Sequence, residues 1–413
     1  MVLPAARVQY SSHDEERPYH ADRELYYVTG ATEPETVALL TGGDEPSLVL
    51  FVRDRDQEAE LWSGPRLGVN GANERFAPDA CHAVSELEAM LPELLARGDR
   101  ILFRLGRGDA VERLVMDALG RARTKGARTG TGPRAIADPG EILDDLRLVK
   151  DAYEIETLKL AAEITLAGHR AAAAVIAPGV GEWVVEGALD GAFRAAGGRG
   201  PAFQSIVGSG KNACVLHYVA NHEVIREEAL VLVDAGCEYG LYNGDVTRTY
   251  PAGGRFIGPQ RDVYEIVDAA RRAAVAVVAP GVPVAAVHES ATRVLVEGLI
   301  ALGVLSGPAD DVIADARHKP YFPHQTSHWL GLDVHDPGDY ARGGVSRVLE
   351  PGMVLTVEPG LYFPPDLAEA GGLARIGIRI EDDVVVTADG CDVLTAGLPT
   401  AIDEVEALVG AHA

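Results

Sequence analysis

The chain reads as an α/β protein of two domains, and three features of its sequence predict this. Short apolar runs alternate with helical stretches over the first third, as strands and helices do in an α/β domain. A turn cluster, Ala137-Asp-Pro-Gly140, interrupts that pattern. Beyond it, long Ala-rich helices are mixed with strand-like segments that end in carboxylates. The 413 residues leave room for two domains of roughly 100–200 residues or somewhat more. The expected division is residues 1–140, a linker over 141–155, and a larger domain over 156–413.

In chain order, Ser47-Leu-Val-Leu-Phe-Val52 and Arg100-Ile-Leu-Phe-Arg104 read as strands, with a helix over Val84 to Leu95 between them. After the turn cluster and the segment Ile142 to Val149 comes a long helix, Tyr153 to Val175. It is rich in Ala, Glu, Leu and Lys, which lose little freedom in a helix, and Pro178-Gly179 stops it. Further helices are expected from about Glu182 to Ala196, from about Arg261 to Ala279 (stopped by Pro280-Gly281), and from about Val284 to Leu302. The remaining apolar segments of the second part read as strands.

Composition narrows the classes of function. The chain is 47% hydrophobic with a net charge of −25, so a phosphate backbone would be repelled and a nucleic-acid partner is not expected. Runs of 18 apolar residues, the length that marks a membrane span, are missing, and the start lacks the basic and apolar regions of a signal peptide. The four cysteines, Cys81, Cys214, Cys237 and Cys391, are widely spaced and read as free thiols of a reducing compartment. A cytoplasmic protein with no membrane partner is the expectation.

Five residues carry the chemistry: Asp234, Asp245, His328, Glu358 and Glu381. Four carboxylates and one imidazole suit two divalent ions, which in two-metal hydrolases sit about 3.5–4 Å apart. Asp234 ends the apolar run Ala229-Leu-Val-Leu-Val-Asp234, Glu358 follows Val354-Leu-Thr-Val357, and Glu381 lies within Ile-Arg-Ile-Glu381. A charge at the end of a buried strand is costly unless a cation offsets it. Eleven positions separate Asp234 from Asp245, and Gly236, Gly240 and Gly244 between them permit a tight antiparallel reversal. Arg379, two residues before Glu381, would share its strand face and could pair with it.

Longer strings make the pattern specific. Ile206-Val-Gly-Ser-Gly210, Leu216-His-Tyr218, Asp245-Val-Thr-Arg-Thr-Tyr-Pro251, Ser327-His-Trp-Leu-Gly-Leu-Asp-Val-His-Asp336 and Leu355-Thr-Val-Glu-Pro-Gly-Leu-Tyr362 resemble the metallopeptidases of the pita-bread fold, aminopeptidase P above all. Arg17-Pro-Tyr-His-Ala-Asp22, Leu25-Tyr-Tyr-Val-Thr-Gly30 and Leu61-Trp-Ser-Gly-Pro-Arg-Leu-Gly68 resemble that family's amino-terminal domain. The likeness covers nearly the whole chain. It implies a curved, mostly antiparallel sheet flanked by helices in the second domain. Gln325 and His222 depart from the family, which commonly has Gly and an acidic residue there, and the chain opens on what would be a strand rather than on the family's first helix.

The resemblance also implies roles. Asp234, Asp245 and Glu381 would hold one ion, with His328 and Glu358 completing the second; manganese is the expected metal, with cobalt or zinc as alternatives. The reaction would be hydrolysis of the amino-terminal Xaa-Pro bond of a peptide. Glu358 would carry the proton, His217 and His335 would hydrogen-bond the substrate, and Arg379 would order the carboxylates. Tyr362 would line the proline side, and His324 is either a hydrogen-bonded core residue or a direct substrate contact. Trp62 and Trp329 either pack in the core or face substrate. Asp14 would meet the substrate's ammonium from a neighbouring subunit of a homodimer or homotetramer. Prolidase-like and carboxypeptidase-like specificities use the same scaffold. Non-catalytic binding modules and metal-free hydrolases share it too, but those relatives lose some of the five ligands, all of which are present here.

Overall fold

The structure, a computed structural model, describes residues 1–410, the side chains of residues 368–370 excepted. The chain forms two compact units, Met1–Asp145 and Leu146–Ala413. The stretch expected to be a linker is largely helical: it holds Gly140–Leu148 and the start of Ala152–Val175.

In the first unit, Val2–Pro4, Val37–Thr41, Ser47–Val52 and Ala80–Ala83 form one sheet in that order. The first three strands pair antiparallel and the last joins parallel. The parallel step needs a crossover, and the helices Gln57–Ser63 and Gly68–Phe76 supply it. Successive side chains point to opposite faces, so the unbroken apolar run of Ser47–Val52 means burial on both. Val49 and Phe51 pack in one cluster with Leu87 and Leu91, whereas Leu50 and Val52 pack in another with Leu25 and Ala72. The helix expected from Val84 begins as a 3₁₀ turn, Val84–Glu86, and is α-helical over Leu87–Leu95.

The second unit is built on two antiparallel sheets. One has Leu230–Ala235 between Ile206–Ser209 and Val246–Pro251; the other has Asp382–Val386 between Val354–Val357 and Cys391–Val393. Gly360–Tyr362 pairs with Gly377–Arg379 beside them. Long helices cover the sheets. Ala152–Val175 starts at Asp151, whose carboxylate accepts from the Glu154 amide while Glu154 accepts from the Asp151 amide. It crosses Glu182–Ala195 closely because position 168 is glycine; a Cβ there would lie 2.2 Å from the Phe193 ring. Pro259–Ala276 and Ala285–Ala301 follow. Among the described residues, no helix is long and apolar enough to cross a membrane.

The reversal between Asp234 and Asp245 differs from the single tight hairpin expected. Gly240 and Leu241, at φ 58° and 71°, turn a small hairpin of Cys237–Tyr239 against Tyr242–Asn243. Below it Gly236 and Gly244 touch: a Cβ on Gly236 would lie 1.6 Å from the Gly244 carbonyl oxygen. The long pairing then resumes at Ala235 opposite Val246, which sets both aspartates at one end of the sheet.

Candidate metal centre and active site

Strand ends and strand junctions position four of the five predicted ligands. Asp234 is near the end of Leu230–Ala235, and Asp245 immediately precedes Val246–Pro251. Glu358 follows Val354–Val357, and Glu381 sits between Gly377–Arg379 and Asp382–Val386. His328 comes from an irregular segment whose amides and carbonyls pair with Val354–Val357, through Thr356 N–H to the His328 carbonyl at 2.9 Å.

These placements bring the side chains together. His328 Nε2 lies 3.4 Å from Asp245 Oδ2 and 3.6 Å from Glu358 Oε1. One ligand atom each of Asp245, His328 and Glu381 falls within 4.8 Å of the others. His328 Nδ1 is 3.1 Å from the Trp329 carbonyl, which can only accept. The proton of the neutral ring therefore belongs on Nδ1, leaving the Nε2 lone pair facing the carboxylates, the arrangement that metal-bound histidines use.

Arg379 departs from the sequence expectation. Its strand ends at residue 379, so the two-residue repeat does not carry on to Glu381. Its guanidinium instead donates to Asp234 Oδ2 at 2.5 Å, to Thr247 Oγ1 at 3.0 Å and to the Tyr362 hydroxyl at 2.9 Å. Glu381 is held from two sides of the neighbouring strand. The Thr247 hydroxyl donates to its carboxylate at 2.6 Å, while the fully buried Arg248 donates to its carbonyl at 2.6 Å. Alternation along Val246–Pro251 explains the division of labour, since residues 247 and 248 face opposite ways.

Burial and mutual repulsion drive the carboxyl groups upward. Burial, despite Arg379, takes Asp234 to about 6; burial likewise takes Glu358 to about 7, and Glu381 is pushed well above its usual range by burial and by Asp245. Burial works against a charge on His328, but Asp245 and Glu358 outweigh it and lift the imidazole to about 9. Asp234 Oδ1 is buried with no hydrogen-bond partner among the described residues. Four carboxylates thus converge on a single fixed guanidinium. That is a donor set in electrostatic deficit, and divalent cations fit it.

Further groups surround this centre. His324 Nδ1 lies 2.7 Å from the Gln325 carbonyl, so it carries the proton, and Nε2 accepts from the Tyr362 hydroxyl at 2.9 Å. Burial and Arg379 hold this ring neutral, with its pKa lowered to about 3. Both of its ring nitrogens are engaged, as in a hydrogen-bonded core histidine, and it also lines the cavity. His335 packs edge-on to His328 at 4.3 Å between ring centroids. A cavity of about 1250 Å³ opens over the site, walled by His217, His335 and His324 together with Phe203, Leu216 and Val334. Trp329 is fully buried, stacked on Tyr340, which settles its alternatives as core packing. Trp62 belongs to the first unit and is 85% exposed, so core packing does not account for it. Asp14, also in the first unit, lies in an exposed irregular segment.

Sequence reasoning missed Asp383, whose carboxylate accepts from the Asp245 amide at 3.0 Å. It also missed the pair of Asp382 with Arg248 (2.8 Å) and Arg271 (2.6 Å), which locks the strand after Glu381. The signal was present in Glu381-Asp-Asp383: three successive acids running into Val384-Val-Val386 cannot all be surface charges.

Comparison with known proteins identifies the family. The model of metallopeptidase family M24 matches residues 156–388, and that of the aminopeptidase P N-terminal domain matches residues 1–103. The chain belongs to metallopeptidase family M24. It is 42% identical over 411 residues to Xaa-Pro aminopeptidase of Escherichia coli, covering 99% of this chain and 93% of that one. Human Xaa-Pro aminopeptidase 3 is 32% identical, with 98% and 80% covered. Among solved structures, Pseudomonas aeruginosa aminopeptidase PepP superposes with a TM-score of 0.95 at 43% identity, covering 99% of this chain and 93% of that one. Zinc-substituted E. coli aminopeptidase P with bound product gives 0.94 at 42% identity, with 98% and 93% covered. The chain is therefore a metallopeptidase of the Xaa-Pro aminopeptidase type, and its mixed α/β architecture is that of aminopeptidase P.

Proposed function

We propose that the protein releases the first residue of peptides whose second residue is proline, with two divalent ions held by Asp234, Asp245, His328, Glu358 and Glu381. The observation that carries this reading is the convergence of those five side chains under a cavity that has room for a peptide. Bound divalent ions lower the pKa of a water and polarise a carbonyl. Manganese suits the oxygen-rich set, with cobalt and zinc as alternatives. The chain's own groups do the rest. Arg379 fixes the Asp234 carboxylate and the Tyr362 hydroxyl in one plane. Glu358, beside both His328 and His324, would take the proton given up by the attacking water and hand it to the departing proline nitrogen. His217 and His335 donate to the carbonyl oxygen as it gains charge. The face of His324 would offer a seat for the proline ring; Tyr362, buried behind the cavity wall rather than lining it as expected, holds the edge of that histidine.

At about 1250 Å³ the cavity has room for a peptide longer than a dipeptide. In this reading the protein is a cytoplasmic homodimer or homotetramer. The amino-terminal domain helps set substrate length through Trp62 and Asp14 of a neighbouring copy, where an acid would meet the substrate's ammonium. A panel of Xaa-Pro, Xaa-Pro-Yaa, longer Xaa-Pro peptides and peptides without proline, assayed with manganese, tests the specificity. Cleavage of Xaa-Pro-Yaa and longer peptides ahead of dipeptides supports it; preferred cleavage of the dipeptide, or equal cleavage without proline, overturns it. Light scattering that shows only a monomer overturns the assembly.

A further inference from the structure

Glu182 is fully buried, yet it lies outside the predicted ligand set. It sits at the first position of Glu182–Ala195 and accepts five hydrogen bonds, divided between its two oxygens. Oε1 accepts from the Ser209 amide (2.7 Å), the Ser209 hydroxyl (2.7 Å) and Asn212 Nδ2 (3.1 Å). Oε2 accepts from the Tyr218 hydroxyl (2.8 Å) and the Glu223 amide (3.0 Å). Every donor belongs to the segment 209–223, the one that carries His217 and the cavity-lining residues Leu216 and Val219.

That segment has little regular structure of its own. After the 3₁₀ turn Gly210–Cys214 it runs without helix or strand to Glu223. Its near end is wedged by close packing: a Cβ on Gly208 would lie 2.9 Å from the Asn212 carbonyl, and one on Gly377 2.2 Å from the Ala213 carbonyl oxygen. Its far end is clamped by Asn221, which accepts from the Val207 amide at 2.9 Å and donates to the Ser205 carbonyl at 2.8 Å. Between those ends lies the stretch with His217, tied down by the Tyr218 hydroxyl, which donates to Glu182 at 2.8 Å and lies 3.3 Å from His222 Nδ1.

We infer that Glu182 is a positioning residue for the reaction: through Tyr218 it sets where His217 stands over the cleft. The inference rests on the role proposed above for His217. A carboxylate suits the task because it accepts on both oxygens at once, whereas a carboxamide must turn an N–H toward one set of donors. The glutamine of Glu182→Gln would keep its oxygen on the three-donor side. Its NH₂ would then face Tyr218 and the Glu223 amide. The Tyr218 hydroxyl can reverse and accept, but the amide cannot. The substitution therefore loosens the His217 side and spares the packing.

The experiment pairs two readouts on the metal-loaded, full-length protein. In hydrogen exchange, Glu182→Gln should speed exchange across residues 215–223 on the order of tenfold, the size of one lost hydrogen bond, with Leu230–Ala235 unchanged. In a kinetic cycle on an Xaa-Pro-Yaa peptide, Glu182→Gln should lower kcat about tenfold at unchanged metal content, and should lower it little further in a His217→Ala background. Tyr218→Phe, which removes the tie itself where Glu182→Gln lets the hydroxyl reverse and keep a bond, should speed exchange and lower kcat at least as much, and decides the matter if Glu182→Gln fails to fold. Unchanged exchange, or losses that multiply with that of His217→Ala, would overturn the inference. A wild-type rate in His217→Ala alone would sink the assigned role of His217, and this inference with it, while leaving the metal site untouched.

Discussion

Three of the candidate ligands are set by neighbours that leave them little freedom. The Thr247 hydroxyl and Arg248 fix Glu381, the Trp329 carbonyl orients His328, and Arg379 holds Asp234. Asp245→Asn and His328→Ala should each lose bound metal and nearly all turnover. Asp245 is central to the cluster, and His328 is its one nitrogen donor. Metal analysis beside an assay checks this, and full metal content with near-normal rates would refute it. His217→Ala and His335→Ala should instead keep the metal and lose on the order of 10²–10³ in kcat, the usual effect of removing a donor aimed at developing charge. A metal-free His335→Ala protein would make that histidine a ligand.

Among the elements, the hairpin from Leu230 to Pro251 carries most of the architecture of the site. The backbones at Gly236 and Gly244 meet so closely that Gly236→Ala must part the two strands next to both aspartates. The expected cost is about 3 kcal/mol or more, with metal binding weakened in parallel. Thermal unfolding with and without manganese measures both, and a variant as stable as the parent would show that the strands can separate there freely. Much of this was legible in the sequence. The apolar runs ending in Asp234 and Glu358, the long helices and their Pro-Gly stops all follow from local rules. What was not legible depends on contacts distant in the chain. The partner of Arg379 is Asp234, 145 residues away, and a two-residue repeat cannot see it. Asp382 and Asp383 are buried only because Arg248 and the Asp245 amide reach them from another strand. The small hairpin at Gly240-Leu241 was hidden because three glycines fit several turns equally well.

The charge balance of the whole molecule converges on this centre. Without cations, Glu358 titrates at about 7 and His328 at about 9, both above their unfolded values, and Glu381 is raised as well. The folded protein therefore binds more protons than the unfolded one, and these groups lose their contribution as pH rises through those values. The neutral buried histidines, His324 at about 3 and His288 at about 4, oppose this only below the unfolded histidine value near 6.5. Between pH 7 and 9 the metal-free protein should lose melting temperature, while the metal-loaded protein gains relative to it as protons stop competing for the ligands. Differential scanning of both forms across that range checks the trend, and a gap that stays constant or narrows contradicts it.

Metal removal and return test the central claim most directly. Purified protein is stripped with a chelator, assayed on an Xaa-Pro-Yaa peptide, and assayed again as manganese is added back. The five converging candidate ligands predict no turnover in the stripped protein, and recovery that saturates with manganese as bound metal approaches two equivalents. Turnover that persists in verified metal-free protein, or bound metal that restores none, would contradict the account.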